Sequence, residues 1–416
     1  MALEQPFVTG AVARLPDERV QLAAFGGVAF PVALVIEGPI IMLLAASTAL
    51  VRNWADHLQL RRLVHIAGAA LTLLHAALAF TPLYDLTVVR LLGAPPEIIE
   101  PGRIALQWML PWTWAIAWRR YLQGILIRAE RGKAVTAGTV VRLVVDVLAL
   151  GIGWQLKLPG AALAGLILSS GVVAEALYIS WSVRPVLREL EQAHKPGDEP
   201  IRVGKFLRFY VPLALTPLIT LMLQPIAAAA ISRMPNALDS LAALPVVHSV
   251  VFLMRSLGMA FNEVVVSLIG APGSVAMLRL FSRRLALASV SVLLLIAATP
   301  LADLYFQSLM QFSPWLTAIG VLGLTASIFM PANQALQSLY MGSLVAHHRT
   351  RGITESVVLY FALTAAFLWV GIQLEIGPGL PVALTCLVLA GLCQTLFLAW
   401  RAAPSLREFE RQEARA

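Results

Sequence analysis

The sequence predicts an all-α polytopic membrane protein made of two six-helix bundles, and three observations carry that reading. Of 416 residues, 59% are hydrophobic and 13% charged, with a mean hydropathy of +0.78; soluble domains are roughly a quarter charged. Apolar stretches near the ~20 residues needed to cross a bilayer recur from Leu22 to Trp400, separated by short charged or Pro/Gly-bearing breaks. The two halves of the chain also repeat each other.

Taken in order, the stretches predict helices at Leu22–Val51, Arg62–Pro82, Ile104–Ile127, Ala134–Gln155 and Pro159–Val183 in the first half. The second half continues with Gly204–Ile231, Leu241–Ile269, Arg284–Leu304, Pro314–Met341, Gly352–Gln373 and Pro378–Trp400. Lys and Arg set the orientation because the positive-inside bias follows basic residues alone. Arg52, Arg61, Arg128, Arg131, Arg184, Lys205, Arg283, Arg349 and Arg401 belong to a set of 21 basic residues that falls on one side, whereas only Arg14, Arg19, Arg90, Arg103, Lys157 and Arg233 fall on the other. The first side is therefore expected to be cytoplasmic, with the C-terminus inside and the chain multi-pass in a cell inner membrane. The net charge of +8 is scattered between apolar segments, which points to topology and away from nucleic acid.

The repeat has an offset of about 219 residues. Arg14, Leu15 and Pro16 match Arg233, Met234 and Pro235; TPLYDL from Thr81 matches TPLADL from Thr299; LRELE from Leu187 matches LREFE from Leu406. An even number of helices per copy leaves both copies with the same orientation, a parallel repeat with its axis along the membrane normal. The expected division is a first lobe over 1–190, a cytoplasmic linker over 191–203, a second lobe over 204–401 and a cytoplasmic tail over 402–416. The second copy opens with the apolar helix Gly204–Ile231, and only its last third has a counterpart, at residues 1–14. Fourteen residues span at most about 21 Å as a helix, short of the ~30 Å hydrocarbon core. The first helix is thus expected to be incomplete, leaving about eleven full spans, with 1–14 beside Gly204–Ile231 and about 18 further apolar residues encoded upstream.

Ionisable side chains at bilayer depth cost several kcal/mol unless paired or facing a cavity, so they are the site candidates. Glu37 and Arg255 stand 218 apart, at equivalent places in the second helix of each copy, and are expected to face each other across a central cleft as a substrate-facing pair, a gate or a tie between bundles. Gly38 and Pro39 beside Glu37 predict a helix kink, as does Pro331. Arg119 and Arg120 follow the tryptophan run Trp108, Trp112, Trp114 and Trp118; they either snorkel to headgroups or draw anions into a vestibule. Arg142 and Asp146 are i,i+4 on one helix and suit a structural ion pair or a coupling site. His248 is a candidate for substrate contact, and with His65 and His75 is too irregularly spaced for a metal cage. Asn333, Gln334 and Gln337 read as interhelical glue. Cys386 and Cys393 have no partners for a disulfide framework or a zinc site. No phosphate loop, dinucleotide fingerprint, metalloprotease motif or nucleophile elbow occurs, so neither an enzyme nor a cofactor nor a resident metal is expected.

Leu22–Pro39 (LAAFGGVAFPVALVIEGP), Gln123–Gly138 (QGILIRAERGKAVTAG) and Pro245–Val250 (PVVHSV) give the chain a texture that resembles the multidrug/oligosaccharidyl-lipid/polysaccharide (MOP) exporter superfamily, most of all the progressive ankylosis (ANK) family. The resemblance implies a monomeric secondary transporter that exports an organic or phosphate-bearing anion by alternating access, coupled to H+ or Na+. A flippase for a lipid-linked saccharide is the nearest alternative, since its headgroup is also anionic. An assembly or receptor protein that keeps the fold without transporting is the alternative of a different class.

Overall fold

The computed structural model describes residues 4–413 apart from 272, 348 and 350, and apart from the side chains of 216, 412 and 413. Among the described residues the structure is helical throughout, without strands. Ten helices among the described residues are long and apolar enough to cross a membrane, and the chain is a multi-pass membrane protein.

A short helix, α1 (Glu4–Val12), precedes the first unit's spans. These are α2 (Glu18–Leu50), α3 (Trp54–Phe80), α6 (Gly132–Gln155) and α7 (Gly160–Gln192). The helices α4 (Pro96–Trp108) and α5 (Leu110–Arg128) cover the expected Ile104–Ile127 span. They are absent from the ten because Glu97, Glu100, Arg103, Arg119, Arg120 and Arg128 make the pair too polar to cross on hydropathy alone. Next come α8 (Val203–Ile231), α9 (Ala237–Leu268) and α10 (Ser274–Ala298). The predicted Pro314–Met341 helix is two, α11 (Pro314–Ala326) and α12 (Met330–Ala346), followed by α13 (Arg351–Leu374) and α14 (Gly379–Glu413).

By contacts the chain divides at Pro225/Ile226, and residues 4–14 group with the second unit, whereas composition places the division at 191–203 and the N-terminus in the first lobe. Packing accounts for both differences. Val8 and Val12 of α1 are fully buried, and α1 packs on α9 of the second unit. The first part of α8 meets α2 at two points: Tyr210 Oη donates to the Pro39 carbonyl at 2.5 Å, and Gly38 lies so close to Leu218 that a Cβ there would meet the Leu218 Cα at 3.3 Å.

The repeat recurs in local geometry that composition does not display. Asp17 and Asn236, 219 apart, both take the left-handed conformation before a helix. Arg14 donates to the Gly10 carbonyl and Arg233 to the Ala229 carbonyl, each at 2.6 Å. The hydroxyls of Thr81 and Thr299 bond the carbonyls four residues back, and π-helical segments follow at Asp85–Leu92 and Leu304–Leu309. The break after Trp108, where Met109 N–H reaches Ala105 and Leu106, is matched by the break at Ser327, whose N–H reaches Gly323 and Leu324. On the charged rim, Arg131 pairs with Glu189 at 2.8 Å and Arg349 with Glu408 at 3.2 Å.

Glycines mark the tightest crossings, and one pair obeys the repeat. A Cβ on Gly124 of α5 would run into Ser47 Oγ and the Leu44 carbonyl of α2; one on Gly342 of α12 would lie 2.6 Å from Val265 Cγ1 of α9. Membrane helices gain from close backbone approach because lipid offers no hydrophobic incentive to associate. Gly124→Val is expected to destabilise the first unit by about 1–3 kcal/mol through overpacking, whereas Gly151→Val, with open space around it, leaves it unchanged. Thermal unfolding in detergent compares the two.

Candidate functional site

Each unit carries a polar cluster within its helices, built on equivalent positions but with different chemistry. In the first unit α5 supplies Arg119, Arg120 and Gln123, α6 supplies Arg142 and Asp146, and α7 supplies Glu175. One turn separates Arg119 from Gln123 and Arg142 from Asp146, so each pair shares a helix face. Glu175 is the hub. One carboxylate oxygen pairs with Arg119 Nη1 and lies 3.7 Å from Arg142 Nη1; the other accepts from Gln123 Nε2 at 2.9 Å. Arg119 and Glu175 are 2% and 1% exposed, so neither can be relieved by water. Asp146 lies against Gly171 of α7, where any Cβ would strike its Oδ1. Arg120, half-buried, has Glu37 as its leading opposite charge and Glu175 as its second. The three arginines of this cluster are matched by the three carboxylates Glu37, Asp146 and Glu175.

In the second unit Arg255 of α9 stands in a different setting. It borders a cavity of about 40 Å³ with Met330, Asn333, Gln334 and Gln337 from α12, Tyr360 from α13, and Gly391 and Gln394 from α14. Positions 330, 333, 334 and 337 form one stripe of α12. The stripe starts at the first turn because Pro331, which has no N–H to lose, opens this helix after the break at Ser327. Arg255 Nη2 donates to Gln334 Oε1 at 3.1 Å, and its buried Nε donates to no described residue. No ion pair within its unit, among the described residues, neutralises it. Gln337 is held by the Gly391 carbonyl (3.2 Å), Gln394 Oε1 (3.2 Å) and Thr395 Oγ1 (3.0 Å), all reached by its Nε2.

Carrying the repeat offset through these residues pairs Arg119 with Gln337, Arg142 with Tyr360, Asp146 with Thr364, Glu175 with Gln394 and Glu37 with Arg255. The Arg119–Glu175 ion pair thus corresponds to the Gln337–Gln394 hydrogen bond. The same scaffold holds a self-neutralised ionic cluster in one unit and an amide-lined cavity with a single cation in the other.

Gly38, Pro39 and Ile40 form a 3₁₀ turn that ends the helix through Glu37. The Pro39 carbonyl is taken by Tyr210. His248 stacks on Phe252 with ring centroids 6.0 Å apart, and Arg255 is its charged neighbour. His75 is held by Thr113 at 2.8 Å and the Leu106 carbonyl at 3.0 Å, a structural role. His65 stacks on Trp118 at 4.6 Å, and Trp118 donates to Ser180 at 2.8 Å. Trp112 is buried while Trp108 and Trp114 are partly exposed, so the tryptophans do not form one wall. Among the described residues no group of three or more His, Cys, Asp or Glu could hold a metal ion. Glu175 is an intramembrane acidic residue that charge alone marks, whereas Tyr360 and Gln394 are uncharged site residues without a motif.

No protein-family model and no curated protein matches the chain. Solved structures do. An inward-facing multidrug-resistance MATE family transporter of the MOP superfamily superposes with a TM-score of 0.76 at 13% identity, over 97% of this chain and 95% of that one. The lipid II flippase MurJ in an inward closed conformation gives 0.67 at 13% identity, over 99% and 90%. A MOP superfamily transporter from Pyrococcus furiosus, described by the reverse polarity of its binding pocket, gives 0.66 at 14% identity, over 98% and 96%. The chain therefore has a MATE-like fold.

Proposed function

We propose that this protein is a secondary transporter of the MOP superfamily that exports an organic or phosphate-bearing anion by alternating access, with Arg255 as its principal anion-binding residue. The observation that carries the reading is the setting of Arg255: a guanidinium within a membrane helix, bordering an amide-lined cavity, with neutral hydrogen-bond partners and no carboxylate of its unit beside it. A desolvated arginine is tolerated where an anion offsets its charge. Glu37, Arg119, Arg120, Arg142 and Asp146 act in the first unit as a charge-balanced cluster, which tunes or couples transport and leaves recognition to the second unit. Coupling to H+ or Na+, a cytoplasmic C-terminus and a cell inner-membrane location complete the proposal. The local texture shared with the progressive ankylosis family agrees with an anionic cargo, as does the similarity to a transporter described by reversed pocket polarity.

The structural likeness to MurJ keeps a lipid-linked saccharide flippase as the second reading. Efflux from cells expressing the chain, with citrate, pyrophosphate, nucleotides and lipid-linked sugars compared, separates the two. Export of a soluble anion supports the transporter, and movement of lipid-linked sugar alone supports the flippase. No movement of any of these leaves the fold in a non-transporting role.

A further inference from the structure

A larger cavity, of about 250 Å³, opens in the first unit where the ends of α2, α5 and α7 meet. Its floor is apolar, with Val51, Ile125 and Val186 buried and Leu190 beside them, and its rim is charged. Arg128, the last residue of α5, is exposed and is fixed at the rim by donating from Nη1 to the Thr48 carbonyl at 2.9 Å. Glu189, the carboxylate of the rim, is engaged by Arg131 at 2.8 Å, so Arg128 has no carboxylate partner among the described residues. The cavity sits at the bilayer boundary. The 33 residues of α7 run about 50 Å, longer than the ~30 Å hydrocarbon core, and its last turns, which present Val186, Glu189 and Leu190 on one face, emerge at the surface.

In the second unit the equivalent place is filled. Carrying the repeat offset puts His347 at the position of Ala129 and Phe409 at that of Leu190. Their ring centroids lie 3.9 Å apart, and Phe409 is buried in a cluster with Ile269, the counterpart of Val51, and with Leu344, Ala402 and Leu406. Ala346 stands where Arg128 does. Glu408 keeps the arginine pairing of Glu189, with Arg349 at 3.2 Å. The scaffold and the rim ion pair are therefore common to both units, whereas the open space and the available cation occur together in one and are both replaced in the other.

We propose that this cavity seats an anionic phospholipid of the surrounding bilayer, with the headgroup phosphodiester on Arg128 and the glycerol carbons on Val51, Ile125, Val186 and Leu190. The volume holds about eight water-sized groups at ~30 Å³ each, the bulk of a phosphodiester with the glycerol that carries it. The guanidinium presents N–H groups in a plane that matches phosphate oxygens. The apolar floor offers nothing to hydrogen-bond a free phosphate but covers the carbons of a lipid, which arrives from the membrane at this depth. A lipid seated here ties the end of α5 to the end of α7, the two helices joined further along by Arg119 and Glu175. The site is independent of the anion that the second unit is proposed to carry.

The test uses the full-length protein in detergent micelles doped with phosphatidylglycerol that carries a photoreactive diazirine near its glycerol, and labelled peptides are mapped by mass spectrometry. Labelling is expected within residues 125–129 and 186–190. Unlabelled phosphatidylglycerol is expected to compete at least about fivefold more effectively than phosphatidylcholine, the factor that one basic residue near the surface supplies. Arg128→Gln, at an exposed position that leaves the fold intact, is expected to abolish that preference. Leu190→Phe with Ala129→His imports the filling of the second unit and is expected to abolish the labelling although Arg128 remains. Equal competition by the two lipids, labelling only at other segments, or wild-type labelling and preference in both variants overturns the proposal. Competition by glycerol 1-phosphate as effective as that by phosphatidylglycerol overturns the membrane as the source of the ligand.

Discussion

Gln334→Glu is expected to abolish anion binding while leaving the protein folded. The substitution is nearly isosteric, and it places a carboxylate where an amide oxygen now accepts from Arg255 Nη2 at 3.1 Å. The lone cation becomes an ion pair, and an incoming anion must compete with a covalently tethered one at high effective concentration. Arg255→Ala removes the charge itself. Truncating one partner of a buried, hydrogen-bonded charge interaction costs about 2–5 kcal/mol, a factor of roughly thirty to several thousand in affinity. Arg255→Lys keeps the charge but loses the planar fork, and falls between the wild type and Arg255→Ala. The checks are equilibrium binding and proteoliposome exchange, normalised to the amount of monodisperse protein. Wild-type exchange by either Gln334→Glu or Arg255→Ala would take this cavity out of the mechanism.

The second large effect is on stability and lies in the other unit. Glu175→Gln leaves Arg119, 2% exposed, without its carboxylate and weakens the opposite charge facing Arg142. Breaking a buried pair by removing one partner costs about 3–5 kcal/mol, because an uncompensated charge remains. The repeat supplies the rescue: Gln337 and Gln394 occupy the positions of Arg119 and Glu175 and hydrogen-bond at 3.2 Å. The double variant Arg119→Gln with Glu175→Gln is therefore expected to recover most of the stability lost in the single one, since the scaffold already holds that pair of amides. Thermal unfolding of the wild type, both single variants and the double one forms a double-mutant cycle. Additive losses would mean that the two side chains do not act as a pair.

How far each cluster can be read without coordinates depends on how distant its partners are in the chain. The bundle architecture and the doubling are legible because hydropathy and matched segments such as TPLYDL and TPLADL are local signals. Helix interruptions are only half legible. Gly38–Pro39 announces the 3₁₀ turn in α2, and Pro331 the start of α12, but hydropathy does not register the π-helical segments at Asp85–Leu92 and Leu304–Leu309. Glu175 stands out as an ionisable residue in an apolar helix, yet its role as hub depends on Arg119, 56 residues earlier and on another helix. Asn333, Gln334 and Gln337 read as glue because polar residues between membrane helices usually are; Gln337 does bridge to α14, while Gln334 meets Arg255. Tyr360 and Gln394 carry no charge and drew no notice. The signal that finds them is the repeat itself, since the offset applied to Arg142 and Glu175 lands on both.

The proposal that Arg255 makes this chain an anion transporter is tested most directly by counterflow. Proteoliposomes preloaded with unlabelled citrate or pyrophosphate are offered trace label of the same compound, with wild-type protein and Arg255→Ala measured side by side. The account predicts transient accumulation of label for at least one anion with the wild type and none above empty liposomes with Arg255→Ala. Equal accumulation by both proteins would contradict it, as would accumulation of an organic cation in place of every anion.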